Sequence, residues 1–278
     1  MTLWIGTSGW QYRHWRGKLY ERGLPTDRWF DRYAEAFDTV ELNVTFYRQP
    51  RPAVFEGWAR RAPDGFLFAV KASRFLTHIK RLREPDDSVD FLLEGASRLG
   101  PHLGPILVQL PPDMKAAPER LEETLAAFPK DARVAFEPRH RSWFTPEVRE
   151  TLRKHAAALC WADRRGPRTP VDPEWATADW GYVRFHTGLA SPRGCYGERS
   201  LASWLERIRA AWPDDEDAFL YWNNDFRGCA PHDAALFAAM AREAGVAVSR
   251  APDADALPVG DAEVRARARR PAQPGRMA

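Results

Sequence analysis

Eight short apolar runs recur along the chain, at Leu3–Thr7, Thr39–Asn43, Phe66–Lys71, Ile106–Leu110, Arg133–Glu137, Ala158–Asp163, Tyr182–His186 and Ala218–Asn223. Continuous apolar runs of this length suit strands buried on both faces. Longer stretches with apolar residues three and four apart lie between them. They predict helices over Arg28–Phe37, Val54–Arg61, Val89–Leu99, Pro118–Phe128, Pro146–His155, Leu201–Trp212 and Ala234–Ala244. Pro118 and Pro146 fit a first helical turn, where a missing N–H costs nothing, and Thr145 is placed to cap the second of these helices. Strand–helix alternation implies parallel strands joined by crossovers. The expected fold is α/β, a single TIM-like (β/α)8 barrel over residues 2–246. An open doubly wound sheet is the alternative, but no G-x-G-x-x-G follows the first run. The crossover from Arg164 to Gly181 is rich in Pro and Gly and reads as loop. Residues 247–278, dominated by Arg, Pro and Ala, read as a disordered tail.

Composition narrows the partners. The 278 residues are 44% hydrophobic and 28% charged, the balance of a water-exposed globular chain. No run approaches the roughly 20 apolar residues that cross a bilayer, so no membrane partner is expected. The net charge is +3, of which six arginines and four acids after residue 249 carry +2. Global charge therefore gives no reason to expect nucleic acid, and any anion site must come from local arrangement. Cys160, Cys195 and Cys229 form no C-x-x-C pair and read as buried or half-buried thiols. With no secretory pattern at the amino end, a reducing cytoplasm is the expected compartment.

A barrel of this kind does its chemistry at the carboxyl ends of its strands, and reactive residues gather at those ends. The first run leads into Trp10. The second holds Glu41 and Asn43, with Tyr47 beyond. Lys71 closes the third, ahead of Arg74 and His78. Gln109 closes the fourth. The fifth gives Glu137, Arg139, His140 and Trp143, and the sixth Asp163. The seventh gives Arg184 and His186, and the eighth Asn223, Asn224 and Asp225. Alternate strand residues share a face, so Glu41, Lys71, Glu137 and Arg184 are expected to enter the barrel mouth together. Buried charges of opposite sign must pair there. One outcome is a charge-balanced network that only fills the upper barrel. The other is a reactive site. His186 is the strongest histidine, whereas His14, His102, His155 and His232 lie away from strand ends and read as surface or capping residues.

These segments, taken in order, resemble those of the family called domain of unknown function 72, or YecE-like. They are Gly6-Thr7-Ser8-Gly9-Trp10, Glu41-Leu42-Asn43-Val44-Thr45-Phe46-Tyr47, and Lys71-Ala72-Ser73-Arg74 with Thr77-His78. Then come Gln109-Leu110-Pro111-Pro112, Glu137-Pro138-Arg139-His140 with Ser142-Trp143, Tyr182-Val183-Arg184-Phe185-His186, and Asn223-Asn224-Asp225. The resemblance runs from residue 4 to about 245. It implies a TIM-type barrel and no established reaction. Likeness to sugar isomerases or to endonuclease IV-type barrels holds at the level of fold alone. Thr187 and Asp233 depart from the family's usual Gly and Asn.

The expected function is that of an enzyme, an isomerase or a hydrolase, on an anionic or phosphorylated substrate such as a sugar phosphate or a nucleic-acid backbone. Glu137 is the candidate acid or base, with Lys71, Glu41 and His186 sharing proton transfer or orienting substrate. Arg74, Arg139, Arg184 and Lys71 supply anion contacts. Trp10, Asn43, Tyr47, His78, Gln109, His140, Trp143, Asn223, Asn224 and Asp225 line the site. No cofactor is expected. An alternative is an endonuclease IV-like phosphodiesterase, for which Glu41, Glu137, Asp163, His186 and Asp225 are the available ligands and a single Mg²⁺ or Mn²⁺ the fitting ion. A non-catalytic small-anion binder is the third reading.

Overall fold

The structure is a computed structural model that describes residues 1–164, 169–190, 194–213 and 216–259. Eight parallel strands close into a barrel: β1 (Thr2–Ser8), β2 (Thr39–Leu42), β3 (Leu67–Lys71), β4 (Leu103–Gln109), β5 (Val134–Glu137), β6 (Ala158–Asp163), β7 (Trp180–Phe185) and β8 (Asp217–Trp222). β8 pairs with β1 from Leu3↔Ala218 to Thr7↔Trp222, and β1 meets β2 at Thr7↔Val40 and Ser8↔Glu41, which completes the ring. Closure at that seam needs Gly6, because a Cβ there would stand 2.2 Å from the Thr39 carbonyl oxygen.

The crossovers carry α1 (Trp29–Ala36), α2 (Val44–Tyr47), α3 (Pro52–Arg61), α4 (Asp86–Ala96), α5 (Pro118–Ala126), α6 (Pro146–Lys154) and α7 (Glu198–Ala211), and α8 (Cys229–Glu243) follows β8. Thr145 caps α6 by accepting from the Val148 N–H, and Pro146 fills its first turn. Between β6 and β7 the described residues hold a single 3₁₀ turn, Pro173–Trp175, in keeping with the Pro- and Gly-rich sequence there.

Strand parity divides the core in two. Outward residues such as Phe68, Val70, Ile106, Phe136, Val183 and Leu220 pack under the helices. Inward residues form a separate cluster inside the barrel. There the small Ala69, Ala135, Ala158 and Cys160 make room for the large Trp180, Tyr182, Phe219 and Tyr221. Above that layer the inward positions become polar.

Order continues past residue 246. β9 (Ala247–Val248) pairs beside the amino end of β1, Ser249 Oγ accepts from the Ile5 N–H at 3.0 Å, and Arg250 binds Asp38. Leu257 is buried. The expectation of a disordered tail beginning at 247 is therefore corrected for residues 247–257. Residues 260–278 lie outside the described residues. The thiol reading is also corrected. Cys195 and Cys229 are joined as a disulfide that ties the loop after β7 to the start of α8, and Cys160 stays a buried free thiol. A separation of 34 residues hid the pair from any local motif. Among the described residues, no helix is long and apolar enough to cross a membrane.

Candidate active site

Arg184 organises the barrel mouth. It points inward from β7, 1% exposed, and reaches across to two other strands. Its Nη2 donates to Glu41 Oε1 on β2 at 2.8 Å, and its Nη1 donates to Glu137 Oε2 on β5 at 2.7 Å. Tyr182, two residues earlier and so on the same face, donates its hydroxyl to Glu41 Oε2 at 2.8 Å. Gln109 Nε2 donates to Glu137 Oε2 at 2.9 Å, and Asn43 Nδ2 to Glu41 Oε1 at 3.2 Å. Burial alone would raise both carboxyls, but the Arg184 charge and these donors override it. Glu41 is held below the usual carboxylate range and Glu137 falls to about 2. Both are carboxylates at neutral pH.

This bonding bears on the anion contact expected of Arg184. Arg184 is buried and its two terminal nitrogens are taken by carboxylates, so it crosslinks β2, β5 and β7, while its Nε keeps no hydrogen-bond partner among the described residues. The other cations of the mouth are less committed. Lys71 enters from β3, between the strands that carry Glu41 and Glu137. Its Nζ lies 4.1 Å from the centre of the Phe46 ring and makes no ion pair or hydrogen bond among the described residues. Burial, reinforced by Arg184, lowers it to about 8, while Glu41 and Glu137 pull the other way. Arg139 Nε stands 4.0 Å from Glu137 Oε1 with a third of its side chain exposed. Arg164 donates to the Pro138 carbonyl at 3.3 Å.

Several polar atoms here are buried with no hydrogen-bond partner among the described residues: Ser8 Oγ, Glu137 Oε1, Arg139 Nε, Arg164 Nε, Arg184 Nε and His186 Nε2. Native interiors contain few such atoms, and at a mouth of this kind they are the groups that a substrate engages. His186 Nδ1 lies 3.0 Å from Asn223 Nδ2, an amide nitrogen that only donates. The imidazole proton is thereby placed on Nε2. Burial and the Arg184 charge press His186 down to about 4, so the ring is neutral.

The remaining candidates divide. Trp10 is nearly buried, packs edge-on to Trp58, and walls a cavity of about 750 Å³ beside the mouth together with Tyr12, Asn43, Arg48 and Arg51. Tyr47 is 80% exposed and packs edge-on to Phe46. Arg74 is exposed at the start of the π turn Phe75–Ile79. His78, in that turn, contacts Phe46 and is lowered to about 4 by burial and by Lys71 and Arg74.

Four expectations at the rim are corrected. Trp143 is fully buried in the outer core, with its indole on the Met114 carbonyl and its ring against Phe136, because it follows a turn that leads away from the mouth. His140 is used locally, capping the 3₁₀ turn Arg141–Trp143 and bonding Ser142. Asn224 donates to the Gly194 carbonyl and to Asp233, which also accepts from the Tyr196 N–H, so it holds the loop after β7. Asp225 binds the Trp15 indole and His14 Nε2, both at 2.7 Å, and burial lifts it to about 6. His14 is exposed, as its reading as a surface residue expects, and its bond to Asp225 places it at the rim. Tyr182 and Arg164 also join the site without having been candidates. Tyr182 was readable from its parity with Arg184, whereas the positions of Phe46, Arg164 and His14 depend on loops that carry no periodic signal.

Among the described residues no three His, Cys, Asp or Glu side chains are grouped to hold a metal ion. Glu41 and Glu137 bind Arg184, Asp163 binds the Tyr196 hydroxyl at 2.6 Å, and Asp225 binds Trp15.

Comparison with known proteins agrees with this architecture. The solved structure of a DUF72 family protein from Thermotoga maritima superposes with a TM-score of 0.75 at 27% identity, covering 87% of this chain and 100% of that one. D-psicose 3-epimerase aligns with a TM-score of 0.50 at 10% identity over 80% of this chain and 84% of that one, a likeness of fold alone. UPF0759 protein YecE of Escherichia coli (strain K12) is 26% identical over 245 residues, which span 79% of this chain and 85% of that protein. The family model described as Protein of unknown function DUF72 matches residues 4–256, so the chain belongs to the DUF72 family.

Proposed function

We propose that the chain is an enzyme that takes a small anionic substrate, a phosphorylated or carboxylated compound, at the carboxyl mouth of its barrel. The observation that carries this reading is the Lys71 amine, nearly buried at the mouth with no carboxylate in contact among the described residues, while Arg184 has already absorbed Glu41 and Glu137. Arg139 and Arg164 add to the local positive excess, in a cleft of low dielectric where an anion gains most. Glu137 Oε1 and His186 Nε2–H supply an unengaged acceptor and an unengaged donor beside these cations. That pairing suits proton transfer or carbonyl polarisation.

The metal-dependent phosphodiesterase reading has weaker support, since Glu41 and Glu137 share Arg184, and Asp163 and Asp225 bind Tyr196 and Trp15. A nucleic-acid backbone would use the same cations as a sugar phosphate, so the two differ in the assay and not in the site. Calorimetric titration with inorganic phosphate and with sulfate is the direct test. The wild-type chain should bind, Lys71→Met and Arg139→Gln should each lose several-fold in affinity, and Lys154→Met, far from the mouth, should lose none. Binding that is absent, or indifferent to Lys71 and Arg139, would end the reading. Turnover in a panel of phosphorylated sugars and phosphodiesters, abolished in Glu137→Gln, would distinguish the enzyme from a binder.

A further inference from the structure

Resting on the reading of the mouth as a site for anionic substrates, we propose that Lys71 is a nucleophile that forms an imine with the carbonyl carbon of an anionic aldehyde or ketone. The geometry separates Lys71 from Arg184 and Arg139. Arg184 takes Glu41 and Glu137, and Arg139 stands at 4.0 Å from the one carboxylate oxygen left over. The Lys71 amine instead rests over the face of Phe46 at 4.1 Å, a cation–π contact and its sole direct partner among the described residues, and Phe46 in turn packs edge-on with His78 and Tyr47.

An ammonium in that position is poorly served. It is largely removed from water, feels the charges of Arg184 and Arg139, and receives only through-space help from Glu41 and Glu137. His78, the nearby titratable group on the next turn, is neutral and gives it no counter-charge. Desolvation beside a second cation is the established way of making a lysine nucleophilic. At about 8, roughly a tenth of the Lys71 amines are neutral at pH 7, against a few in ten thousand for an ordinary lysine.

The neighbours supply the rest of the chemistry. His186 Nε2–H can donate to the carbonyl oxygen and polarise it. The lone pair of the Lys71 nitrogen then forms the C–N bond while the carbonyl π pair moves to oxygen. Counted from the ammonium, the nitrogen gives up two protons, the oxygen leaves as water, and a positively charged iminium remains. That charge acidifies the adjacent C–H. Glu137 Oε1, a carboxylate oxygen with no hydrogen-bond partner and Arg139 4.0 Å away, is the acceptor that takes the proton, whose bonding pair becomes the enamine double bond as the iminium π pair returns to nitrogen. The anionic end of the substrate would meet Arg139 and Arg164. An open-chain sugar phosphate and a keto acid are the substrate classes that satisfy both ends.

The test is reductive trapping on the full chain with sodium cyanoborohydride and two aldehydes of equal carbon number, glyoxylate and glycolaldehyde, read by peptide mass spectrometry. At pH 7 Lys71 should be alkylated by glyoxylate at least tenfold faster than the exposed Lys115, Lys130 and Lys154. Its rate should rise with a midpoint near pH 8. Glycolaldehyde should favour Lys71 less, and inorganic phosphate should protect it from glyoxylate. Because the readout is made on the wild-type protein, it does not depend on a variant that folds, and Lys71→Met serves only to verify the assigned adduct. Alkylation of Lys71 no faster than the exposed lysines, with both aldehydes, would overturn the imine proposal even where phosphate binds. Fast alkylation by both aldehydes without charge preference or phosphate protection would uphold the imine and remove the anionic-substrate reading instead.

Discussion

Arg184 and Glu137 meet at 2.7 Å with both side chains closed to solvent, so a single guanidinium–carboxylate bond ties β7 to β5 across the top of the barrel. The same guanidinium holds Glu41 on β2. A buried triad of this kind contributes little beyond what an apolar replacement of equal volume would, but removing one member strands the others.

Arg184→Ala should therefore act on stability before it acts on ligands. Two buried carboxylates would lose their counter-charge, and we expect a loss of about 3–5 kcal/mol in urea unfolding. Arg184→Lys should recover only part of it, because one ammonium cannot donate to Glu41 and Glu137 through separate nitrogens. A loss below about 1 kcal/mol, the range of exposed pairs, would show that the triad is hydrated and not sealed.

His186 should remain neutral well into acid. Its folded value, about 4, lies below that of an unfolded histidine, so between about 4 and 6.5 the unfolded chain binds the extra proton. The contribution is favourable above the unfolded value and is lost as pH falls through 4. His78, also at about 4, acts in the same direction, and Asp225, raised to about 6, opposes them across part of the window. Imidazole resonances followed by NMR should show His186 unprotonated at pH 5, with the proton on Nε2. Protonation near 6.5 would mean that water reaches the ring.

The barrel was legible because each strand is a short apolar run and each run is followed by a turn or helix signal. Parity carried the legibility one step further. Glu41, Lys71, Glu137 and Arg184 sit at equivalent inward positions, and the structure brings Glu41, Glu137 and Arg184 into direct contact. Parity alone does not say which carboxylate takes which cation. That choice follows from the reach of Arg184 across the ring, which leaves Lys71 without an anion. Residues beyond the strand ends were harder to read. His140 and Trp143 follow Glu137 closely in sequence, yet His140 is spent capping the turn at Arg141–Trp143, and that turn carries Trp143 into the outer core. Cys195 and Cys229 meet only because the loop after β7 lies against the start of α8.

The segment that follows α8 gives a truncation test. A chain ending at residue 258 keeps β9, the Ser249–Ile5 bond, the Arg250–Asp38 pair and the buried Leu257. Its melting temperature should stay within about 2 °C of the full chain. A chain ending at residue 246 loses all four. One buried leucine and a buried hydrogen bond amount to about 3 kcal/mol, or roughly 6–12 °C for a domain of this size. Equal melting temperatures for the two truncations would show that residues 247–257 contribute nothing to the barrel.

The disulfide supplies a separate stability test at the opposite end of the fold. Cys195 and Cys229 close a segment of 34 residues that contains α7 and β8. Cross-linking a loop of that length restricts the unfolded chain and stabilises the fold by about 2–4 kcal/mol. Reduction should therefore lower the unfolding free energy by that amount. The effect should reach the site, since Tyr196, next to Cys195, donates its hydroxyl to Asp163 at the end of β6 and its N–H to Asp233. Thiol counting in denaturant is the primary measurement: one free thiol, Cys160, without reductant and three with it. A Cys195→Ala/Cys229→Ala variant should match the reduced protein in stability and should no longer respond to reductant. Three thiols in the unreduced protein would show that the pair is open. The loop after β7 would then be held without a covalent tie, by hydrogen bonds that include those of Asn224, Asp233 and the Tyr196 hydroxyl.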